Sequence, residues 1–220
     1  MERVNVVKNP ALQNILLELR KRDTSSHIFC ELLEQAGYLL AYEASRELPL
    51  LDESVETPLG AVATGARVKD EDIVIVAVLR AALPMALGAR RLYRRARMGF
   101  VAAKRLEETK TQAKEGIVFD VDIPYWNIGS VKGKYVLLVD PMLATGSTLS
   151  RVIERIGREK PKKIVVVGLI AVEQGIRIVL RSLDKVGVRG SIYVAAIDPE
   201  LNNMGFIVPG LGDAGDRCFG

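Results

Sequence analysis

The stretch that decides the fold is YVLLVDPMLATGSTLSRVIERI, residues Tyr135 to Ile156. An unbroken apolar run stops at one carboxylate, Asp140, and passes through a loop of small and hydroxyl residues. Apolar residues then return at helical spacing as Leu149, Val152, Ile153 and Ile156. A strand therefore ends near Val139 and a helix opens near Ser147. The unpaired N–H groups of a helix start, and the positive end of its dipole, face whatever lies in front of them. Thr145, Ser147 and Thr148 can add hydroxyl donors, and Gly146 lets the backbone approach an anion without a Cβ in the way. A carboxylate there would repel a bare phosphate, so Asp140 is better matched to sugar hydroxyls carried on that phosphate. A ribose 5-phosphate combines both. Spacing alone leaves a second reading equally open, in which Ser147 or Thr148 only caps the helix and Asp140 is a turn residue. The loop lacks the GK[ST] ending of a Walker phosphate loop.

Outward from this loop, strands and helices alternate. Ile73 to Leu79 is a continuous apolar run suited to a central strand, followed by helical character from Leu83 to Arg95 and then by MGFVAAK. Residues 107–129, EETKTQAKEGIVFDVDIPYWNIG, read as irregular. After the helix from Ser147 to about Arg158 come a strand over Lys163 to Ile170, a helix from about Gln174 to Leu183 and a strand over Ser191 to Ala196. The pattern predicts an α/β fold, one twisted and mostly parallel sheet flanked by helices, with ligands at the carboxyl ends of the strands. Upstream, Thr24-Ser25-Ser26 can cap a helix whose apolar stripe is Ile28, Leu32, Ala36 and Leu39 or Leu40, up to about Arg46. SVETPLGAVATGARV reads as a hairpin around Pro58 to Gly60. With no repeat or linker to divide it, the chain reads as one domain over 1–220: N-terminal helices and hairpin (1–70), core (71–196) and a C-terminal segment (197–220).

The composition fits this plan. The chain has 220 residues, 49% hydrophobic and 26% charged, enough to bury roughly 70% of its unfolded surface without a disulfide or metal staple. Its two cysteines, Cys30 and Cys218, lie far apart and read as free thiols in a reducing compartment. No leader pattern and no apolar run of membrane length stand out, so a soluble, cytoplasmic protein is expected, with no membrane partner. The net charge of +4 comes from scattered residues. It permits nucleic-acid contact without requiring it, and it suits a small polyanionic substrate. The basic run RRLYRRARM at 90–98 reads as a solvated helix end. His27, the one histidine, lies beside the apolar stripe and reads as a partly buried packing residue.

Four segments carry a resemblance to a known family. VLLVDPMLATGST resembles the 5-phosphoribosyl 1-diphosphate loop of type I phosphoribosyltransferases, and Asp140-Pro141-Met142-Leu143-Ala144-Thr145-Gly146 is the form found in the uracil phosphoribosyltransferase family. VLRAALPM (78–85) resembles the family's pyrophosphate loop, with Arg80 on the phosphate; a guanidinium fork also suits a diphosphate on its own chemistry, or the capping of strand carbonyls. The family usually has Gly where Ala82 stands. KRLEETK (104–110) is similar to its mobile loop, where Arg105 would close over the diphosphate; alone, the run would be a solvated charged turn. AAIDPELNNMGFIVPGLGDAGDRCFG (195–220) could be a flexible end on composition, but resembles the family's base-recognising flap almost residue for residue.

The resemblance implies a type I phosphoribosyltransferase-like fold with an N-terminal helical extension, a hairpin arm and a C-terminal base-binding flap. It implies transfer of a phosphoribosyl group to uracil, giving UMP and diphosphate. Asp140, Arg105 and Asp213 would be catalytic. Arg80, Arg105, Asp140, the run Pro141 to Thr148 including Ser147, and Asp213 would hold the phosphoribosyl substrate. Ile207, Gly212, Asp213 and Ala214 would read the uracil edge. Backbone groups can match a pyrimidine's carbonyls and N–H, and a base that leaves buried groups unpaired loses about 1–3 kcal/mol for each. Mg2+ is implied, held mainly by substrate and water. So are a homo-oligomer (dimer or tetramer), subunit contacts through Tyr125 and Trp126, and control by GTP or CTP. A purine-base phosphoribosyltransferase, or an RNA-binding regulator on the same fold, are the alternatives. A regulator should display base-stacking aromatics, and only 5% of residues here are aromatic.

Overall fold

The computed structural model describes residues 3–113 and 116–220. Its first elements are β1 (Val4–Val6) and α1 (Pro10–Arg20). Asn9 caps α1 by accepting from the Ala11 N–H at 2.9 Å, and Pro10 sits where no N–H is needed. Helix α2 (Ser26–Ala44) follows, then a hairpin of β2 (Leu50–Glu56) and β3 (Val62–Val68), with the turn where the sequence placed it. The stripe of α2 is rotated by one residue from expectation. Phe29, Leu33, Ala36, Leu40 and Ala44 are buried, whereas Ile28 is 40% exposed.

The core begins with β4 (Ile73–Leu79), α3 (Leu83–Leu92) and the antiparallel pair β5 (Arg97–Ala113) and β6 (Gly116–Asn127). It continues through β7 (Tyr135–Val139), β8 (Met142–Leu143), α4 (Ser147–Gly157), β9 (Lys163–Val167), β10 (Ile170–Val172), α5 (Glu173–Lys185) and β11 (Gly190–Val194). The chain closes with β12 (Ala196–Asp198), β13 (Glu200–Leu201), β14 (Ile207–Val208) and α6 (Ala214–Phe219). Seven strands form one sheet in the order β1-β11-β9-β7-β4-β5-β6, parallel except for β5 with β6. Its inner strands are apolar because both faces are covered: Val74 to Ala77, Val136 to Val139 and Ile164 to Val167 are all buried. Helix α4 closes one face with Leu149, Val152, Ile153 and Ile156, each adding roughly 1.5–3 kcal/mol when fully buried.

From β4 the chain winds toward β5, whereas from β7 it winds toward β9 and β11. The order therefore reverses between β4 and β7, and a crevice opens at their carboxyl ends. A small parallel sheet, β12-β10-β8, sits above this point and pairs Met142 and Leu143 with Ile170 and Ala171.

Three expectations are corrected. Residues 107–127, of which 114 and 115 lie outside the described residues, are not irregular: those described belong to the β5–β6 hairpin, whose outer half is exposed and so lacks a buried face to impose alternation, and only Ile128 and Gly129 lie beyond it. His27 is exposed, with Nδ1 3.2 Å from Ser25 Oγ, and packs against no core. Cys30 and Cys218 are joined in a disulfide, their Cα atoms 5.3 Å apart, because α6 packs against α2 despite the 188 residues between them. No helix among the described residues is long and apolar enough to cross a membrane.

Candidate active site

The crevice between β4 and β7 is a cavity of about 610 Å3. Its floor is the strand ends. Its walls come from the loop before α4, from β5 and from the C-terminal segment.

Asp140 follows directly on β7, and its Oδ1 accepts from the Met142 N–H at 3.3 Å. Its carboxyl opens partly to the cavity but is otherwise enclosed by protein. Burial pushes its pKa up to about 7, against the smaller opposing pull of the Met142 N–H and of Arg105. A carboxylate so poorly solvated gains strongly from hydrogen-bond donors brought by a ligand.

The loop after Asp140 turns at Gly146, in the left-handed region at φ 81°, and a Cβ there would lie 2.9 Å from Ile178 Cβ. Ala144, Thr145, Gly146 and Thr148 line the cavity. Ser147 does not. Its hydroxyl accepts from the Phe119 N–H at 3.1 Å and from Thr145 Oγ1 at 3.2 Å, so it braces the loop against β6. Pro141 is likewise buried away from the cavity, where its carbonyl accepts from the N–H groups of Leu169 and Ile170. Met142 and Leu143 line the base of the cavity.

Arg80 stands just beyond β4 and pairs with Asp216 of α6 at 2.7 Å. The Leu79–Arg80 peptide is cis. Ala82 has φ −75° and ψ −12°, an ordinary helical conformation in which a Cβ costs nothing, so the place where the family usually has Gly needs none here. Arg105 is not in a free loop. It projects from β5, half-buried, with its guanidinium 5.1 Å from the Phe119 ring centroid and 5.9 Å from that of Phe206. The β5–β6 register slips on either side of it, between Ala102 and Lys104 and between Leu106 and Thr111. Such bulges re-aim side chains. Thr109 stitches the second slip by donating to Leu106 O at 2.6 Å and accepting from the Asp120 N–H at 2.8 Å.

From the C-terminal segment, Gly205, Phe206, Ile207, Asp213 and Gly215 line the cavity. Asp213 caps α6, with Oδ1 accepting from the Asp216 N–H at 2.9 Å. Gly212 and Ala214 flank it without lining the cavity, and Ala214 is fully buried. Tyr125 is 47% exposed, whereas Trp126 packs within its own chain, 4.1 Å beneath the Arg155 guanidinium.

One crevice thus gathers a helix N-terminus, two guanidinium groups, a poorly solvated carboxylate and the folded tail. The family model for uracil phosphoribosyltransferase matches residues 6–220. The chain belongs to that family. Curated relatives include a uracil phosphoribosyltransferase of Pyrobaculum islandicum, 41% identical and covering 98% of both chains. Another, of Thermococcus gammatolerans, is 38% identical over 96% of this chain and 90% of its own. Among solved structures, the AQ2163 protein of Aquifex aeolicus superposes with a TM-score of 0.86 at 33% identity, over 98% of this chain and 97% of that one. These comparisons do not favour the purine-base or RNA-binding alternatives.

Two residues that sequence reasoning passed over help to shape the site. Phe119, on β6, and Phe206, just before β14, both lie against the Arg105 guanidinium.

Proposed function

We propose that the chain transfers the phosphoribosyl group of 5-phosphoribosyl 1-diphosphate to N1 of uracil, forming UMP and releasing diphosphate. One observation carries this reading: Ile207 and Asp213 of the family's base-binding flap line the same cavity as Arg80, Arg105 and Asp140. Base, sugar and diphosphate would then lie within one crevice.

In this reading the N–H groups at the start of α4, with the Thr148 hydroxyl, hold the 5′-phosphate, and Thr145 serves through its backbone because its hydroxyl donates to Ser147 Oγ. Ser147 serves through its backbone, its hydroxyl being engaged with Phe119. The Asp140 carboxylate accepts from the ribose hydroxyls and fixes the sugar for in-line attack. As the new N1–C1′ bond forms, the C1′–O bond breaks and diphosphate leaves with the electron pair. Arg80 and Arg105 compensate that developing charge. The N1 proton passes to Asp213 or to solvent. Backbone groups of Ile207 and of Gly212 to Ala214 pair with the uracil edge.

Mg2+ fits as an ion carried by substrate and water. The cavity's carboxylates are Glu107, Asp140 and Asp213, and Glu107 is paired with Arg105 at 3.4 Å. Among the described residues no three His, Cys, Asp or Glu side chains cluster as a metal cage. When bound, the ion adds positive charge to the diphosphate.

A homo-oligomer is supported by the β2–β3 hairpin. A two-stranded hairpin is marginal alone, and this one leaves Leu59 94% and Val62 73% exposed. A second copy of the chain covering it would supply the missing face. Control by GTP or CTP rests on the family resemblance and a cytoplasmic location on the sequence pattern, and a cytoplasmic disulfide has precedent in hyperthermophilic archaea.

The test is an assay of diphosphate release with Mg2+, 5-phosphoribosyl 1-diphosphate and, separately, uracil, cytosine, hypoxanthine, guanine and orotate, with and without GTP and CTP. Turnover confined to uracil is expected. Turnover confined to a purine, or absent throughout, would retire the proposal.

A further inference from the structure

The C-terminal flap is fastened at its middle, outside the cavity, by a buried ion pair. Asp198 ends β12 and is 5% exposed; Arg20 ends α1, 178 residues earlier in the chain. The two meet as a bidentate fork, Arg20 Nη2 on Asp198 Oδ1 at 2.6 Å and Nη1 on Oδ2 at 2.8 Å. Both polar atoms of Gly210 are drawn into the same fork. Its carbonyl accepts from Arg20 Nη1 at 2.7 Å, and its N–H donates to Asp198 Oδ2 at 3.0 Å.

This arrangement determines where the flap backbone runs. Gly210 has φ 62°, and a Cβ there would fall 2.1 Å from the carbonyl oxygen of Ile207. The turn from Ile207 to Gly210 is therefore closed on itself, and whatever holds Gly210 also sets the position of Ile207, which lines the cavity. A second arginine crosses in the opposite direction. Arg217 of α6 donates to Leu211 O at 2.8 Å and Lys21 O at 2.6 Å, and also to Leu19 O, with its guanidinium 4.2 Å above the Phe29 ring. The last turn of α1 is thus the anchor to which the flap is tied on both sides of its Ile207 to Ala214 segment.

An ion pair with this much burial contributes little net stability, since desolvation offsets most of the attraction; fixing a register is the better-attested use of such pairs. Neither Arg20 nor Asp198 lines the cavity.

We infer that Arg20 and Asp198 are positioning residues for recognition of the base. Through Gly210 they set the register of the Ile207 to Ala214 backbone, so the match to a pyrimidine edge depends on a salt bridge outside the site. This rests on the proposed function, because it takes that backbone to read the base.

The test uses the full-length protein with Asp198→Asn, Arg20→Gln, the double variant, and Gly210→Ala. The wild-type chain is first shown to turn over uracil; its failure to do so would overturn the function and this inference with it. The expected result is a rise in KM for uracil of about 10–100-fold in each single variant. The dissociation constant of 5-phosphoribosyl 1-diphosphate, measured without base by calorimetry, should stay within about 2-fold. The double variant should lose no more than the worse single one, as coupled groups do. Gly210→Ala disturbs the turn while leaving both charges in place, and should raise KM for uracil in the same way. A uracil KM unchanged in Asp198→Asn, or base and phosphoribosyl affinities lost in equal proportion, would overturn the inference.

Discussion

Arg80 Nη2 and Asp216 Oδ1 lie 2.7 Å apart, so the guanidinium proposed to receive the diphosphate is held by the last helix of the chain. Both side chains are more than half exposed. Ion pairs of that kind contribute about 0–1 kcal/mol. A diphosphate can therefore displace Asp216 at little cost, whereas the residues beside Arg80 that also line the cavity, Val78, Leu79 and Ala81, carry no charge to replace it. Arg80→Ala should raise KM for 5-phosphoribosyl 1-diphosphate by about 10–100-fold, the value of a charged hydrogen bond. Asp216→Asn should leave that KM the same or lower it. Steady-state kinetics at saturating uracil read both, and a loss in Asp216→Asn as large as in Arg80→Ala would show that the pair works as a unit.

Asp140 predicts a pH dependence. Its pKa rises from the ordinary 3.8 to about 7 on folding, chiefly by burial. Between those values the folded state binds more protons than the unfolded one, so this group's contribution to stability falls as pH rises from about 4 to 7 and is constant above. Activity should move the other way, because only the ionised carboxylate accepts from ribose hydroxyls. We expect kcat/KM for the phosphoribosyl substrate to climb through pH 7. Asp140→Asn should remove that limb and cost on the order of 100-fold in turnover, against almost none for His27→Gln on the open surface. An unchanged acid limb in Asp140→Asn would assign the titration to another group.

The hydroxyl of Ser147 is engaged with the backbone of Phe119. Ser147→Ala should therefore act on folding more than on binding, with about 1–2 kcal/mol lost in denaturant unfolding as the buried Phe119 N–H loses its acceptor. Thr148→Ala should do the reverse, raising KM for 5-phosphoribosyl 1-diphosphate with little change in stability. Equal binding losses in the two variants would place the Ser147 hydroxyl on the ligand.

The Cys30–Cys218 disulfide closes a loop of 188 residues. Loops of that length give about 2–5 kcal/mol of stabilisation by restricting the unfolded chain. At roughly 2–4 °C per kcal/mol for a chain of this size, Cys218→Ser or full reduction should lower Tm by about 5–15 °C. Calorimetry with and without reductant measures it. Because α6 carries both Asp216 and the Asp213 cap, activity of the reduced protein should be lost at a lower temperature than that of the oxidised one.

The centre of the fold was legible because its information is local. Tyr135 to Ile156 contains a strand, a loop and a helix in one run, and Ile73 to Leu79 is a β-branched apolar run of strand length. The parts that were missed have other causes. β1, β8, β10 and β12 are too short to show a period. The β5–β6 arm stands away from the core, so polar residues occur on both faces of its outer half. The stripe of α2 was misphased because Ile28 and Phe29 are both apolar and only packing chooses between them. Arg20, Asp198 and the two cysteines act across nearly the whole length of the chain, where no neighbouring residue announces the partner. At the site, motif matching reached Arg80, Arg105, Asp140 and the loop, but it could not tell a hydroxyl facing the cavity from one facing inward at Ser147.

Strand β1 pairs with β11, Val4 lying against Ile192, and α1 is the anchor of the flap. During synthesis the first strand must therefore wait, unpaired, until nearly every other residue has left the ribosome, and the flap meets its anchor on α1 later still. A nascent chain halted between the end of α5 and that point would hold every residue of the phosphate loop with its strand and helices, yet would have no means of choosing a base.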